Sequence, residues 1–364
     1  MDFGIFNLTQ HRDRGQTSKE VIDTALEETV HADRLDFGRA WFVEHHFSNY
    51  SICGSPLTLA AVAAAKTERI RLGTAVIVAP LHSPTRLLSD IGLADAISGG
   101  RLDVGLGSGY QRFEFERLGM ELDENKERFH EILDILELGL KQPAFEYRGK
   151  HYDIPRTAIS VKPVQRPSPP IWIAGYDPVA HRRCARAGYH PFVAARFSTS
   201  AQLEQERRSL DSLYREEGVD PETMQLGLLS FCHVTDSKEE ARRYADSARF
   251  QHRISLALRY RRELVTEDFW VDEVPFEGET SLDDLMAAIP VGDAHTVAER
   301  LVERIRGVRP AHIALYCQVG DMPKPLVMRS MERLMTEVVP LIEKACGAPL
   351  AQINEPKPRA EAAE

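Results

Sequence analysis

The chain has 364 residues, of which 43% are hydrophobic, and a formal net charge of −10 at pH 7. Its length is enough for one large domain or two smaller ones. The acidic charge argues against nucleic acid or an anionic membrane as the main partner, because both bind basic protein faces. The apolar runs, such as residues 60–65 and 74–81, are too short to span a bilayer.

The N-terminal stretch, the cysteines and the C-terminal tail indicate the cell compartment and the domain organisation. The N-terminal stretch MDFGIFNLTQHRDRGQ lacks the basic and apolar regions of a signal peptide. The five cysteines are scattered and form no CxxC pair, which favours reduced thiols in the cytoplasm over disulfides or a zinc site. We expect one domain over residues 1–346 and a disordered, polar tail over residues 347–364.

Short apolar runs alternate with longer amphipathic segments along the chain. The runs predict strands at residues 3–8, 40–43, 70–78, 102–107, 169–175, 191–195, 226–234 and 312–317. The segments between them predict helices at residues 19–35, 56–66, 84–97, 126–140, 179–187, 200–217, 237–263, 294–306 and 325–346, the first capped by Thr17 or Ser18. This alternation favours a parallel (β/α)8 TIM barrel, although a doubly wound open sheet has the same pattern.

Two segments interrupt the alternation. Residues 143–168 combine turn residues with short β-like runs, which predicts an inserted hairpin. Residues 265–290 mix acidic residues with Phe269, Trp270 and Phe276. A long excursion of this kind in a compact domain is usually a lid or a disordered loop.

Polar and glycine-rich residues follow the predicted strands. The active site of a parallel barrel lies at the carboxyl ends of its strands, so these positions are the candidates for chemistry. They are residues 7–9, 44–46, 79–82, 107–112 and 175–178.

The second of these strand ends carries Glu44, His45 and His46. Alternate side chains of an extended segment point to opposite faces, so three consecutive residues would bind one metal ion only around a sharp turn. A metal site is therefore not favoured. We expect His46 to have a structural role, and we assign His45 to function because Glu44 precedes it at a strand end.

The fourth strand end carries Gly105, Gly107 and Gly109 in a G-x-G-x-G spacing. Glycines allow backbone N–H groups to approach an anion such as a phosphate, but they also serve tight turns. The spacing is not G-x-G-x-x-G, and no acidic residue lies at the later strand end where a Rossmann site requires one, so a Rossmann site is not supported. Asp177 is a candidate N-cap, and the first turn after it is a second candidate anion site.

Several segments taken together resemble the bacterial luciferase-like, flavin-dependent monooxygenases, which are (β/α)8 barrels. FGIFNLT and WFVEHHF resemble the first and second strands of that family. The longest similar stretch is RIRLGTAVIVAPLHSPTRLLSDIGLADAISGGRLDVGLGSGY, and NKERFHEILDIL, PPIWIAG, VGDAHTVAERL and SMERLMTEVVPLIEK are also similar. The resemblance covers about residues 1–346 and is specific as a set, although each motif alone is weak.

The resemblance implies a two-component monooxygenase. Its cosubstrates would be O2 and reduced FMN, which a separate flavin reductase supplies, and a C4a-peroxyflavin would attack a small organic substrate. His45 matches the catalytic histidine of the family, with Glu44 orienting it or tuning the pocket, and its ordinary pKa of about 6.5 suits proton transfer at neutral pH. Residues 265–290 coincide with the mobile lid of the family, which keeps water from the site.

The resemblance also implies which residues bind the cofactor. A non-proline cis peptide is implied between Ala75 and Val76, beneath the flavin. The complete set is Ala75, Val76, Gly107, Ser108, Gly109, Tyr110, Gly175 and Tyr176.

The chain departs from the family where the flavin phosphate is held. The catalytic luciferase subunit has a cysteine and an arginine in the loop after the fourth strand, where this chain has Gly107 and Ser108. The acidic residue and serine after the fifth strand are replaced by Gly175 and Tyr176, and Val179 stands where a hydroxyl is usual. The remaining candidates for the phosphate are residues 108–110, the backbone N–H groups of residues 176–180, and the side chains of Arg112, Arg182 and Arg183.

Two other functions fit the same barrel. One is a deazaflavin (F420)-dependent oxidoreductase, and the other is a flavin-binding barrel without catalytic activity. A homodimer is implied by the resemblance, with the apolar helices at residues 56–66 and 84–97 as candidate interfaces. The sequence does not identify the substrate.

Overall fold

Eight parallel strand positions form a closed barrel in the computed structural model, which describes residues 1–359. Around the ring, each strand pairs with its neighbour, and β3 pairs with β5 to complete the circle. The barrel strands are β1 (Asp2–Asn7), β2 (Arg39–Phe42), β3 (Arg71–Thr74) with β4 (Ile77–Val78), β5 (Leu102–Gly107), β8 (Ile171–Ala174), β9 (His190–Ala194), β10 (Gly227–Phe231) and β13 (His312–Tyr316). The predicted TIM barrel is confirmed, and the open sheet is excluded because the ring closes.

Helices surround the barrel. They are α1 (Ser18–Arg34), α2 (Pro56–Ala64), α3 (Pro84–Ile97), α4 (Arg112–Arg117), α5 (Asn125–Lys141), α6 (Pro178–Ala187), α7 (Ser200–Glu216), α8 (Lys238–Tyr260), α9 (Leu282–Ala288), α10 (Ala294–Val308), α11 (Lys324–Arg333) and α12 (Val339–Cys346). Thr17 caps α1 in a capping box with Glu20, as one of the two predicted caps. Among residues 1–359, no helix is both long and apolar enough to cross a membrane.

The predicted third strand, residues 70–78, is broken in the middle. A cis peptide bond joins Ala75 to Val76, as the resemblance implies, and separates β3 from β4. The neighbouring β2 accommodates the break, because the Ala75 N–H donates to the Phe42 carbonyl at 2.8 Å and the Glu44 N–H donates to the Val76 carbonyl at 3.2 Å. The broken strand therefore lies directly beside the residues at the end of β2.

The predicted strand at residues 226–234 also divides into two parts. The chain leaves the barrel after β10, and β11 (His233–Val234) pairs instead with β12 (Val291–Gly292) in a small separate sheet. The predicted helix at residues 325–346 likewise contains a π-helical turn at Leu334–Val338, between α11 and α12. Pro340, two residues further on, has no N–H to donate within a regular helix.

Both excursions from the alternation are present. The first contains the predicted hairpin, formed by β6 (Phe145–Arg148) and β7 (Asp153–Thr157). The second, residues 265–290, is packed onto the barrel: the Val271 N–H donates to Asn49 Oδ1 at 2.9 Å, and Glu273 pairs with Arg12 at 3.0 Å. Val271 itself is fully buried.

The predicted disordered tail differs from the structure over residues 347–359. A short 3-10 turn, Leu350–Gln352, is followed by the buried Ile353. Asn354 Nδ2 then donates to the carbonyls of Ile305 and Pro310 at 3.2 and 3.3 Å, and the Lys357 N–H donates to the Glu222 carbonyl at 2.9 Å. Polar composition suggested disorder, but specific hydrogen bonds to the barrel hold this segment. Residues 360–364 of the predicted tail lie outside the described residues.

A charged cluster fills the amino-terminal end of the barrel. Asp103 is fully buried and accepts hydrogen bonds from Arg39 Nε at 3.2 Å and from Arg71 Nε at 2.9 Å. Arg39 also pairs with Asp2, and the Asp2 carboxylate is bonded to His312 Nδ1. Every charge in this cluster therefore has a partner within the protein.

Candidate active site

A cavity of about 420 Å³ opens at the carboxyl ends of the barrel strands. Pockets of this size are typical of small-molecule sites. The residues predicted for the site all line it: Glu44, His45, Ala75, Val76, Gly107, Ser108, Gly109, Tyr110, Gly175 and Tyr176. The structure thus brings together residues from four separate strand ends.

A larger depression of about 710 Å³ lies outside the barrel, between α7 and α10. It is lined by charged side chains that already pair with each other, such as Arg207 with Asp211 at 2.7 Å. It lies away from the strand ends, so we place the candidate active site in the smaller cavity.

The three polar residues after β2 point in two directions. Glu44 and His46 lie on one side and meet, with His46 Nε2 at 2.8 Å from Glu44 Oε1. His45 points the other way, where Nδ1 lies 2.9 Å from Glu114 Oε1. This alternation follows the geometry of an extended chain, as predicted.

Glu44 does not orient His45, in contrast to one of its predicted roles. Its carboxylate instead binds His46, His82 Nε2 at 2.9 Å, and the Val78 N–H at 2.8 Å. Burial raises the pKa of Glu44, but these hydrogen bonds outweigh burial and lower it. Glu44 therefore ties the end of β2 to the segment after the cis peptide, and it influences His45 only through its charge.

Glu114 on α4 orients His45. Its carboxylate accepts from the backbone N–H of His46 at 2.8 Å as well as binding the His45 ring. Burial lowers the pKa of His45, but the negative charge of Glu114 outweighs burial and raises it to about 9. The ring is thus an imidazolium at neutral pH and not the poised base that its ordinary pKa suggested. Among residues 1–359, His45 Nε2 has no hydrogen-bond partner, so this atom is available to bind a ligand in the cavity.

Aromatic rings and arginines surround His45. The Tyr50 and Tyr110 rings lie 4.7 and 5.9 Å from the His45 ring, centroid to centroid. The guanidinium of Arg259 lies over the Tyr110 ring at 3.9 Å, and Arg196 lines the same cavity. Burial raises the pKa of Tyr110, but the positive charges of His45, Arg196 and Arg259 outweigh burial and lower it.

The glycine loop after β5 is tied to the start of α5. Gly109 has a φ of +76°, which favours glycine, and its carbonyl accepts from Asn125 Nδ2 at 2.8 Å. The next residue, Lys126, lines the cavity and has no carboxylate partner among residues 1–359. The loop and a free cation therefore lie together at one part of the cavity.

The arginines considered for the phosphate are engaged elsewhere. Arg112 pairs with Asp123 at 2.7 Å, Arg182 with Glu216 at 2.6 Å, and Arg183 with Asp134 at 2.6 Å. None of the three arginines lines the cavity.

Asp177 occupies the amino end of α6, as predicted. One of its carboxylate oxygens accepts from the Val179 N–H at 3.1 Å, and the other lies 3.1 Å from His130 Nε2. A carboxylate at this position opposes the binding of a second anion to the same N–H group. The first turn of α6 is for this reason a weaker anion site than the sequence suggested.

The cavity wall is closely packed at the glycine loop. A Cβ atom on Gly107 would lie 2.9 Å from Val76 Cγ2, so only glycine allows this approach. At Gly175, where φ is +119°, a Cβ would meet no atom within 4 Å. The cavity is open beside Gly175, and the backbone there is accessible to a bound molecule.

The sequence did not reveal the second set of site residues, which are Tyr50, Glu114, Lys126, Arg196, Arg259 and Tyr316. Tyr50, Glu114, Lys126 and Arg259 lie on loops and helices away from the strand ends, whereas Arg196 comes two residues after β9 and Tyr316 ends β13. The first turn after each strand is the part of a barrel site that strand prediction can find. The helix packing that brings Glu114 and Arg259 to the cavity has no local sequence signal.

A family model described as luciferase-like monooxygenase matches residues 1–309. An uncharacterized protein of Sinorhizobium fredii, y4vJ, is 39% identical over 95% of this chain and 99% of its own length. The oxygenase component of a flavin-dependent trigonelline monooxygenase from Acinetobacter baylyi is 32% identical over 66% of this chain and 67% of its own. The oxygenating constituent of 3,6-diketocamphane monooxygenase from Pseudomonas putida, solved with FMN, is similar in fold, with a TM-score of 0.75 and 19% identity over 93% of this chain and 98% of that one.

Proposed function

Because the chain belongs to the luciferase-like monooxygenase family, we propose that it is the oxygenase component of a two-component, flavin-dependent monooxygenase. It takes reduced FMN from a separate flavin reductase and uses O2 to oxygenate a small organic substrate. One oxygen atom enters the substrate and the other leaves as water. The trigonelline monooxygenase relative, named as an oxygenase component, supports the two-component arrangement.

The cavity residues fit a flavin. Ala75 and Val76 offer an apolar wall for the ring system, and the open backbone at Gly175 admits a close approach. The loop of residues 108–110 and the free Lys126 would hold the phosphate, since an ammonium and backbone N–H groups bind anions. When bound, reduced FMN supplies the electrons that activate O2.

The observation that carries the proposal is the buried His45–Glu114 pair in the cavity wall. Glu114 fixes one nitrogen of the His45 ring and keeps the ring protonated, so the Nε2–H can donate a hydrogen bond or a proton into the cavity. His45 thereby stabilises negative charge that develops on a bound group during the reaction. The burial of the pair strengthens this interaction, because little water screens it.

Cofactor titration followed by rapid mixing tests the proposal and separates it from both alternatives. We expect the protein to bind FMN more tightly than F420 and, when its bound reduced FMN meets O2, to delay the return of oxidised-flavin absorbance relative to free reduced FMN. A preference for F420 would favour the deazaflavin oxidoreductase. FMN binding without any delay would favour the barrel without catalytic activity.

We also propose a homodimer through α2 and α3. The two helices pack against each other and expose large apolar side chains, with Val62, Leu93 and Ile97 40–51% exposed. Exposed apolar residues on adjacent helices are typical of an interface. Light scattering should give twice the chain mass for the wild type and the chain mass for Leu93→Glu, and a monomeric wild type would contradict the dimer.

A further inference from the structure

We propose that Arg196 and Arg259 form a clamp for the carboxylate of an aromatic acid, which is the organic substrate of this site. The inference rests on the proposed oxygenase function and adds the chemical class of the substrate. Two arginines bind a carboxylate through several charge-assisted hydrogen bonds in a fixed geometry.

The first observation is that neither arginine has an acidic partner. Among residues 1–359, the side chains of Arg196 and Arg259 form no hydrogen bond and no salt bridge, and Arg259 Nε is buried without an acceptor. Other arginines beside the barrel are paired. Arg12, for example, forms salt bridges with three acids, Asp246, Glu273 and Asp321. Both arginines of the clamp are partly buried in the cavity. Cations withdrawn from water are normally paired, so two unpaired ones in the same cavity indicate a site for an anion.

The second observation is that the carboxylates of the cavity are committed elsewhere. Glu44 binds His46 and His82, Glu114 binds His45, and Asp177 caps α6. Within the described part of the chain, no acid lining the cavity is therefore left to neutralise the two arginines, and a bound anion is the remaining way to do so.

The third observation places the clamp beside the reacting end of the site. The Arg259 guanidinium lies over the Tyr110 ring, and the charges of both Arg196 and Arg259 reach the Tyr110 phenol. Both charges also act on His252, where burial and then Arg196 lower the pKa of the imidazole. Tyr110 is the neighbour of His45, so a carboxylate held by the arginines would lie close to His45.

The surroundings of the clamp are aromatic. Tyr50, Tyr110 and Tyr316 line the cavity with His45, and Phe6 packs edge-on against Tyr316 at 4.5 Å. Aromatic rings prefer edge-to-face or offset packing against other rings. An acid whose carboxylate is attached to a small aromatic ring therefore fits both the charge and the walls of this region.

FMN also carries an anionic phosphate, so the flavin is the competing source of the anion. The phosphate of FMN lies at the end of its ribityl chain, away from the ring system. Lys126 and the backbone of Ser108 and Gly109 suit it, and the Gly109 carbonyl accepts from Asn125 Nδ2 at 2.8 Å. Both arginines are instead grouped with His45 and Tyr110.

Calorimetry on the protein saturated with oxidised FMN tests the clamp, with benzoate and nicotinate as probes and benzamide and nicotinamide as neutral analogues of the same shape. We expect each acid to bind the wild type at least ten-fold more tightly than its amide, a difference of about 1.4 kcal/mol. Arg196→Gln and Arg259→Gln should each remove most of this preference while leaving amide binding unchanged. Arg208→Gln, an exposed arginine on α7, is the matched control and should retain it.

Equal binding of acid and amide by the wild type, absence of acid binding, or variants that keep the preference would each overturn the clamp. A loss of FMN affinity in the variants, measured by flavin fluorescence, with acid binding unchanged would assign the arginines to the cofactor and would also overturn it. Unfolding transitions of the variants show whether Arg259 acts only by stabilising the last turn of α8, where a cation is favourable. Repeating the acid titration without FMN decides the clamp even if the wild type fails to bind FMN.

Discussion

The two ends of the barrel carry clusters of buried charge that are built differently. At the amino-terminal end, Asp103 and Asp2 face Arg39 and Arg71, so acids and bases neutralise each other. At the carboxyl-terminal end, His45 pairs with Glu114, and His46 and His82 pair with Glu44. Arg196 and Arg259, in contrast, have no acidic partner among residues 1–359. The amino-terminal cluster lies on the barrel strands, whereas Glu114 of the second cluster lies on α4 and Arg259 on α8.

The comparison indicates that the charges at the amino-terminal end stabilise the fold and that those at the carboxyl-terminal end serve binding. In a cluster where every charge is paired, no charge is free to bind a ligand, and removing one member leaves its partner as an unpaired buried charge. A cluster with unpaired cations destabilises the free protein, and binding of an anion stabilises it again.

The largest effect is expected from Asp103→Ala at the amino-terminal end. Arg71 loses its acidic partner and Arg39 loses one of its two, so the free energy of unfolding should fall by about 3–5 kcal/mol. Urea denaturation measures this change. Arg259→Gln is the comparison at the other end and should leave stability unchanged or slightly increased. A larger loss for Arg259→Gln than for Asp103→Ala would contradict the division between the two clusters.

A smaller but functional effect is expected from His45→Ala. The variant should fold and bind FMN, but the delay before oxidised flavin returns should shorten roughly 100-fold, because proton donation to a reacting group contributes about that factor or more. Stopped-flow absorbance measures the delay. His295→Asn, at an exposed position on α10, is the control. A delay in His45→Ala equal to the wild type would remove His45 from the chemistry.

The third effect is a shift in pH dependence. His45 keeps its proton up to about pH 9 because of Glu114, so the delay should persist through neutral pH and disappear as the pH rises through about 9. Glu114→Gln removes the main cause that raises the pKa, and burial then lowers it, so the midpoint should move down by at least about one unit, or 1.4 kcal/mol. Glu44→Gln should move it less, because that carboxylate binds His46 and His82. Equal midpoints in all three proteins would contradict this assignment.

The sequence predicted the barrel well because strand and helix periodicity are local. All the strands, the hairpin at residues 143–168 and the cis peptide at Ala75–Val76 are present in the structure. The predicted site residues gather in one cavity because each follows a strand, and strand ends meet by topology.

The partners of those residues were not predictable in the same way. Glu44 was paired with His45 because they are neighbours in sequence, yet the alternation of an extended chain turns them apart. Glu114 reaches His45 from a helix that begins after the glycine loop, and no sequence pattern marks that approach. The tail was predicted to be disordered from its composition, but hydrogen bonds from Asn354 and Lys357 hold residues 347–359 in place.

The most direct test of the role proposed for the His45–Glu114 pair is the protonation state of His45 itself. Imidazole nitrogen chemical shifts, recorded by NMR on selectively labelled protein with His295→Asn as an assignment control, report the charge of the ring as the pH changes. The account predicts that His45 is an imidazolium at pH 7.5 and titrates near pH 9, and that Glu114→Gln lowers this midpoint. A neutral His45 ring at pH 7.5 in the wild type would contradict it.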